Sequence, residues 1–291
     1  MVDETPQTTS EPVDLNNPNG QELAEILAEV ETVDRPAKLQ LPLLAASGLI
    51  KSFGGLVAID QVAIDVAKGS ITGLIGPNGA GKTTLFNLLS NFIHPDKGRV
   101  LFDGEPIHQL QSHQIAQRGM IRTFQVARVL SRLSVLENML LAAQHQTGEN
   151  FWLTWFKQKQ IAAESRQQRE QAMTILDSIG LAHMAHEYAG ALSGGQRKLL
   201  EMGRALMSQP KLILLDEPAA GVNPTLINQI CDRILTWNRD GLTFLIIEHN
   251  MDVIMSLCDR VWVLAEGRNL AVGTPTEIQT NAQVLEAYLG Q

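Results

Sequence analysis

From about residue 43 onward, the chain alternates between strand-like and helix-like patterns of apolar and polar positions. Residues 44–53 and 56–66 have the length and composition of strands, and the Gly54-Gly55 pair between them predicts a hairpin. This pattern predicts an antiparallel β portion at the start of the fold.

The later apolar runs predict a second kind of sheet. Residues 212–215 and 244–247 are apolar at every position, which is typical of central strands in a parallel sheet that is covered on both faces. Between about 120 and 195 the spacing is mainly helical, and beyond it strands alternate with helices again. We therefore predict an α/β domain over 43–291 with an inserted helical subdomain at about 120–195.

The overall composition, with 44% hydrophobic and 19% charged residues, is that of a globular protein and excludes a wholly disordered chain. No apolar run approaches the roughly 18 residues that span a bilayer. The first residues are acidic and polar, unlike a signal peptide or presequence, and Cys231 and Cys258 form no disulfide framework. These features predict a protein of a soluble, reducing compartment.

Charge separates an acidic extension, residues 1–42, from the rest of the chain. The extension has nine acidic and two basic side chains, so it carries −7 of the net charge of −8. Up to residue 20 its composition predicts disorder. A short helical pattern follows, which indicates either a marginal acidic helix or a docking or autoinhibitory segment. The remainder is nearly neutral, so bulk charge gives no reason to expect a nucleic-acid partner.

A glycine-rich segment between a predicted strand and a predicted helix fits the pattern G-x-x-x-x-G-K-[ST]. Its glycines let several backbone N–H groups converge on phosphate oxygens, and the start of the helix adds a positive dipole end. Lys82 would reach the β- and γ-phosphates, and the Thr83 hydroxyl would bind Mg²⁺. The sequence therefore predicts a P-loop NTPase core. The predicted nucleotide-binding residues of this segment are Gly76, Pro77, Asn78, Gly79, Ala80, Gly81, Lys82, Thr83 and Thr84.

The apolar run 212–215 is followed by two carboxylates, Asp216 and Glu217. Ligands of open α/β sheets bind at the carboxyl ends of the strands, so both side chains are candidates for the same site. Asp216 would hold Mg²⁺ through water, and Glu217 could accept a proton from an attacking water. The alternative is a buried strand that leaves its core through acidic residues.

The segment Leu192-Ser-Gly-Gly-Gln196 opens another predicted helix, with Ser193 as N-cap and glycines that leave the first N–H groups accessible. Together with the phosphate loop and the Asp216-Glu217 pair, it resembles the nucleotide-binding domain of ABC transporters. The resemblance implies that this segment binds the γ-phosphate of ATP held by the opposite subunit of a dimer. The residues it assigns to this role are Ser193, Gly194, Gly195 and Gln196.

The same resemblance assigns roles to four further residues. Phe53 matches the aromatic that stacks on adenine, and Gln125 matches the glutamine that touches Mg²⁺ and senses the permease. His249 follows a strand predicted beside the Asp216 strand and matches the histidine at the γ-phosphate, so catalysis would rest on Lys82, Glu217 and His249. Asn223 stands where many family members carry aspartate. Asparagine keeps the capacity for hydrogen bonds but lacks the negative charge of aspartate.

Several longer stretches resemble one branch of the family, the ATPases of branched-chain and neutral amino acid importers; among them are residues 122–125, 217–224 and 286–290. The resemblance implies ATP and Mg²⁺ as ligands, a homodimer or a heterodimer with a second ATPase, and two integral-membrane permease subunits. It also implies an extracytoplasmic binding protein and a peripheral position at the cytoplasmic face of the inner membrane.

Other functions remain open from the residues alone. Urea importers and lipopolysaccharide exporters share the core motifs. A soluble ABC ATPase acting on ribosomes or DNA, or a nucleotide-binding regulator without turnover, would belong to a different class. The aromatic cluster at 151–156 predicts either packing inside the helical subdomain or contact with a membrane partner.

Overall fold

The computed structural model describes residues 42–123, 129–143 and 158–289. The acidic extension up to residue 41, Gln125 and the aromatic cluster at 151–156 lie outside the described residues. The strands of the described ranges are β1 (Pro42–Phe53), β2 (Leu56–Ala67), β3 (Ile71–Ile75), β4 (Lys97–Phe102), β5 (Glu105–Pro106), β6 (Met120–Arg122), β7 (Leu212–Asp216), β8 (Thr243–Ile247), β9 (Arg260–Ala265) and β10 (Arg268–Gly273).

The α-helices of the same ranges connect these strands or form the helical insertion. They are α1 (Lys82–Leu89), α2 (Ser112–Gln117), α3 (Val135–Leu140), α4 (Gln158–Ser178), α5 (Gly194–Leu206), α6 (Pro224–Arg239), α7 (Met251–Leu257), α8 (Pro275–Thr280) and α9 (Ala282–Leu289). No helix among the described residues is both long enough and apolar enough to cross a membrane.

The strands form two sheets. The four-stranded sheet has the order β2-β1-β4-β5 and is antiparallel, with Phe53 opposite Leu56 at the hairpin. The six-stranded sheet has the order β10-β9-β3-β8-β7-β6 and is parallel apart from the antiparallel β9–β10 edge. The predicted antiparallel N-terminal portion and parallel core are therefore confirmed.

The two faces of β7 and β8 explain why residues 212–215 and 244–247 are all apolar. Ile213 and Phe244 face a core cluster that they share with α5, α6 and α7, whereas Leu214 and Leu245 face a second cluster between the two sheets. Because side chains alternate along a strand, a strand that is buried on both faces is apolar at nearly every position. The carboxyl ends of β7 and β8 therefore emerge from a sheet that is covered on both faces.

The region after residue 120 differs in one respect from the sequence-based expectation of helix. Met120–Arg122 is a strand, β6, which pairs with β7 at the edge of the parallel sheet. Three residues give no readable periodicity, and the pairing with a strand about 90 residues later in the chain decides their conformation. The helices α3 and α4 then pack beside α5 through one continuous apolar cluster.

Candidate functional site

The phosphate loop connects β3 to α1, as its sequence predicts. At Gly81 the backbone has φ +98°, and a Cβ there would lie 2.6 Å from the carbonyl oxygen of Ala58. At Gly76 a Cβ would lie 2.0 Å from the carbonyl oxygen of Leu264. Both glycines of the motif are therefore required by neighbouring backbone, independently of any phosphate.

Lys82, the first residue of α1, is bound by the loop itself. Its Nζ donates hydrogen bonds to the carbonyl oxygens of Gly76 and Pro77, at 2.7 and 2.8 Å. Burial lowers the pKa of Lys82 from its ordinary value, and the negative charge of Glu217 acts in the opposite direction. The positive charge of Lys82, held at the cleft by the loop, can bind an anionic group there.

A cleft of about 550 Å³ brings the loop together with two of the predicted catalytic residues. Residues 78–84 line it together with Glu217 and His249. Leu56 and Val57, at the start of β2, also line the cleft and are 72% and 50% exposed. The sequence did not single out these two residues, although exposed aliphatic side chains beside a phosphate site suit the face of a base.

Glu217 and His249 form a direct pair, with 2.8 Å between Glu217 Oε1 and His249 Nε2. Glu217 has φ +49°, in the left-handed region that costs a non-glycine residue roughly 1–2 kcal/mol. Its N–H donates to the carbonyl oxygen of Ile247, and its own carbonyl accepts from Lys198 Nζ at 3.3 Å. Such strain, held by surrounding hydrogen bonds, is typical of functional sites.

Asp216 ends β7 as predicted and is buried. Its Oδ2 lies 3.3 Å from Arg122 Nη2, and the same guanidinium donates to Asn87 Oδ1 at 2.6 Å. Arg122 is a residue that the sequence-based assignment omitted, because its partners lie on α1 and β7, far away in the chain. The pair ties the segment that leads toward Gln125 to the predicted Mg²⁺ aspartate.

The Ser193–Gln196 turn begins α5 with reciprocal capping bonds. Gln196 N–H donates to Ser193 Oγ at 3.3 Å, and Ser193 N–H donates to Gln196 Oε1 at 2.9 Å. This turn lines a different cleft, of about 480 Å³, together with Asn223, the N-cap of α6. The structure therefore separates this turn from the phosphate loop of its own chain.

Phe53 lies at the end of β1 and is 49% exposed, with Lys51 Nζ 5.6 Å from its ring centroid. It does not line the cleft of the phosphate loop among the described residues. Glu248, which the sequence-based assignment also omitted, is buried next to His249. Nothing in its local pattern distinguishes it from an ordinary residue after a strand.

Known proteins with this fold and these motifs identify the family. A family model for ABC transporters matches residues 59–220, and a model for branched-chain amino acid ATP-binding cassette transporters matches residues 268–291. The chain belongs to the branched-chain amino acid family of ABC transporter ATP-binding proteins. Its resemblance to that branch is therefore confirmed.

The sequences of relatives align with this chain over nearly their whole length. The chain is 39% identical over 251 residues to the high-affinity branched-chain amino acid transport ATP-binding protein BraF of Pseudomonas aeruginosa, covering 86% of this chain and 98% of the relative. It is 40% identical over 254 residues to a probable LivG protein of Archaeoglobus fulgidus, covering 86% and 96%. The solved ATP-binding cassette MJ1267, in its ADP conformation, has a TM-score of 0.74 at 35% identity, covering 87% of this chain and all of that one.

This family membership establishes the class of activity. The protein is an ABC ATPase, the ATP-binding subunit of a branched-chain amino acid importer, and couples ATP hydrolysis to transport as part of a transporter complex.

Proposed function

We propose that this ABC protein hydrolyses ATP with Glu217 as general base and His249 as the group that orients the attacking water. The hydrogen-bonded Glu217–His249 pair, in one cleft with the phosphate loop, supports this assignment. Lys82 would exchange its two loop carbonyls for β- and γ-phosphate oxygens, which carry more negative charge and bind an ammonium more strongly.

The oxygen donors near the cleft fit Mg²⁺, which prefers hard ligands and retains waters. Thr83, at the start of α1, would supply its hydroxyl and Asp216 its carboxylate, while Gln125 remains a predicted ligand outside the described residues. When bound, Mg²⁺ neutralises charge on the phosphates. Arg122 would keep the Asp216 carboxylate in place before the nucleotide arrives.

Replacing Glu217 with glutamine tests the general base directly. Glu217→Gln keeps the size of the side chain and a hydrogen bond to His249, so ATP affinity should stay within about threefold while phosphate release falls by about 100-fold or more. Glu170→Gln, on the exposed face of α4, is the matched control. Phosphate release at the wild-type rate in Glu217→Gln would remove this residue from its role.

We also propose that two cassettes form each complete site, with the Ser193–Gln196 turn of one chain closing over the ATP of the other. The separation of the two clefts supports this arrangement. Gly194 permits a clean test, because a Cβ there meets no atom within 4 Å in the single chain. Gly194→Glu should leave folding and ATP binding intact but abolish hydrolysis; unchanged hydrolysis would contradict a shared site.

We propose that the permease docks in a groove of about 450 Å³ between β6, the end of α3 and α5, lined by Ile121, Leu141 and Arg204 among others. Leu141 is 59% exposed there, and the groove adjoins the Arg122–Asp216 pair. In membranes that contain the two permease subunits, Leu141→Arg should release the protein from the cytoplasmic face. ATP binding should be unchanged. Unchanged membrane association would exclude this groove.

The transported substance contacts the permease and an extracytoplasmic binding protein, so it must be measured with the whole transporter. We propose that leucine, isoleucine and valine are the substrates, as the names of the relatives indicate. Uptake of labelled amino acids in cells that carry wild-type protein or Lys82→Ala should differ for these three substrates. Uptake of urea instead, or no Lys82-dependent uptake, would support one of the alternative transport functions.

A further inference from the structure

Glu248 is a buried acid between the last residue of β8 and His249, and only 3% of it is exposed. Acidic side chains are almost never buried to this extent unless they are paired or hydrogen-bonded. Its Oε1 accepts a hydrogen bond from the N–H of Ala219 at 2.7 Å. Its Oε2 accepts from the N–H groups of His249 and Asn250 at 3.1 and 3.3 Å.

These three donors belong to two different loops. Ala219 lies two residues after Glu217, in the loop that ends at Asn223 and continues into α6. His249 and Asn250 form the loop that leads into α7, where Asn250 is the N-cap. One carboxylate therefore joins the backbone of the loop that carries the proposed general base to the backbone of the loop that carries its histidine partner.

A third element, α5, carries a positive charge that interacts with the same carboxylate. Lys198 is buried on α5, four residues after the first residue of that helix, Gly194. Its Nζ donates a hydrogen bond to the carbonyl oxygen of Glu217. Burial lowers the pKa of Lys198, and the negative charges of Glu201 and Glu248, in that order, act against this shift. Glu248 thus interacts with the 217–223 loop and the His249 loop through hydrogen bonds and with α5 through charge.

We propose that Glu248 is a positioning residue that fixes the 217–223 loop and the His249 loop relative to one another. A shift of the 217–223 loop would be transmitted through Ala219 and Glu248 to the backbone at His249, and so to the 2.8 Å contact with Glu217. Since Asn223 and the Ser193–Gln196 turn share one cleft, contact with a second cassette would act on this loop first. This inference rests on the proposed roles of Glu217 and His249.

The test replaces Glu248 with glutamine in the full-length protein. The amide retains the shape of the side chain, but its NH₂ group cannot accept a hydrogen bond, so at least one loop loses its anchor. Because misplacement of catalytic groups by about 1 Å can cost about 100-fold in rate, kcat should fall by about 10–100-fold, with the Kd for ATP within about twofold. Asp252→Asn, an exposed acid in the first turn of α7, is the matched control and should keep the wild-type kcat.

A double variant separates positioning from general destabilisation. If Glu248 acts through His249, Glu248→Gln should have no further effect on kcat in the His249→Ala background. Effects that multiply, or a loss of ATP affinity parallel to a lower melting temperature, would overturn the proposal. So would wild-type kcat in Glu248→Gln while His249→Ala is impaired. Wild-type kcat in His249→Ala itself would instead refute the proposed role of the histidine.

Discussion

Gly81→Ala and Gly79→Ala form a matched pair of substitutions in the phosphate loop. Both glycines have positive φ, +98° and +76°, so a methyl group costs each of them roughly 1–2 kcal/mol of backbone strain. They differ in their surroundings. A Cβ at Gly79 meets nothing within 4 Å, whereas one at Gly81 lies 2.6 Å from the carbonyl oxygen of Ala58 and 2.9 Å from Ile59 Cδ1.

The difference between the two variants isolates the cost of the close backbone approach. Carbon atoms pack at about 3.5–4.0 Å, so the β2 backbone or the start of α1 must move by several tenths of an ångström in Gly81→Ala. Overpacking of this kind costs about 1–3 kcal/mol, and Gly81→Ala should be less stable than Gly79→Ala by that amount. For a domain of this size, the corresponding difference in Tm is about 2–12 °C.

Equilibrium urea denaturation without nucleotide, followed by tryptophan fluorescence, measures this difference. The two variants should show equal m-values, because the surface exposed on unfolding is the same, and different midpoints. Equal free energies of unfolding within about 0.5 kcal/mol would show that the loop accommodates the methyl group without cost. The close approach to Ala58 would then not be the reason for glycine at position 81.

Two further predictions concern buried polar groups. Asn138 is fully buried, accepts a hydrogen bond from the N–H of Leu130 at 2.9 Å and donates to the carbonyls of Leu130 and Ser134 at 3.0 and 2.9 Å. Asn138→Leu should therefore lower the free energy of unfolding by about 2–3 kcal/mol. A urea midpoint equal to that of the wild type would contradict this prediction. Burial raises the pKa of both the Cys231 and the Cys258 thiols. Since the thiolate is the reactive form, neither should react with Ellman's reagent at pH 8 until urea unfolds the protein, and rapid reaction of the native protein would refute the burial.

Features that depend on a few neighbouring residues could be predicted from the sequence. Ser193 caps the start of α5, where the local pattern places it. The phosphate loop follows its strand and opens its helix for the same reason, since glycine positions and helix starts are determined by conformational preferences over a few residues. The apolar strands ending at Asp216 and Ile247 were also predictable, because burial on both faces requires apolar residues throughout.

Features that join distant segments could not be predicted in this way. The Arg122–Asp216 pair joins residues 94 apart in the chain, and the Ala219–Glu248 bond joins residues 29 apart. The first depends on the pairing of β6 with β7 and the second on the register of β7 against β8, which local patterns do not specify. The strand β6 itself exists because it pairs with β7.

The sequence alone determined the chemical groups of this ABC ATPase and the local backbone that presents them: an anion-binding loop, two carboxylates after a buried strand, and a capped turn of glycines. Only the tertiary structure decided which of these groups meet. It brought Glu217 and His249 into contact in the cleft that the phosphate loop lines and set the Ser193–Gln196 turn in a separate cleft. The physical reason is that local conformation follows from short-range sterics and hydrogen bonds, whereas proximity between segments follows from packing of the whole sheet and its helices.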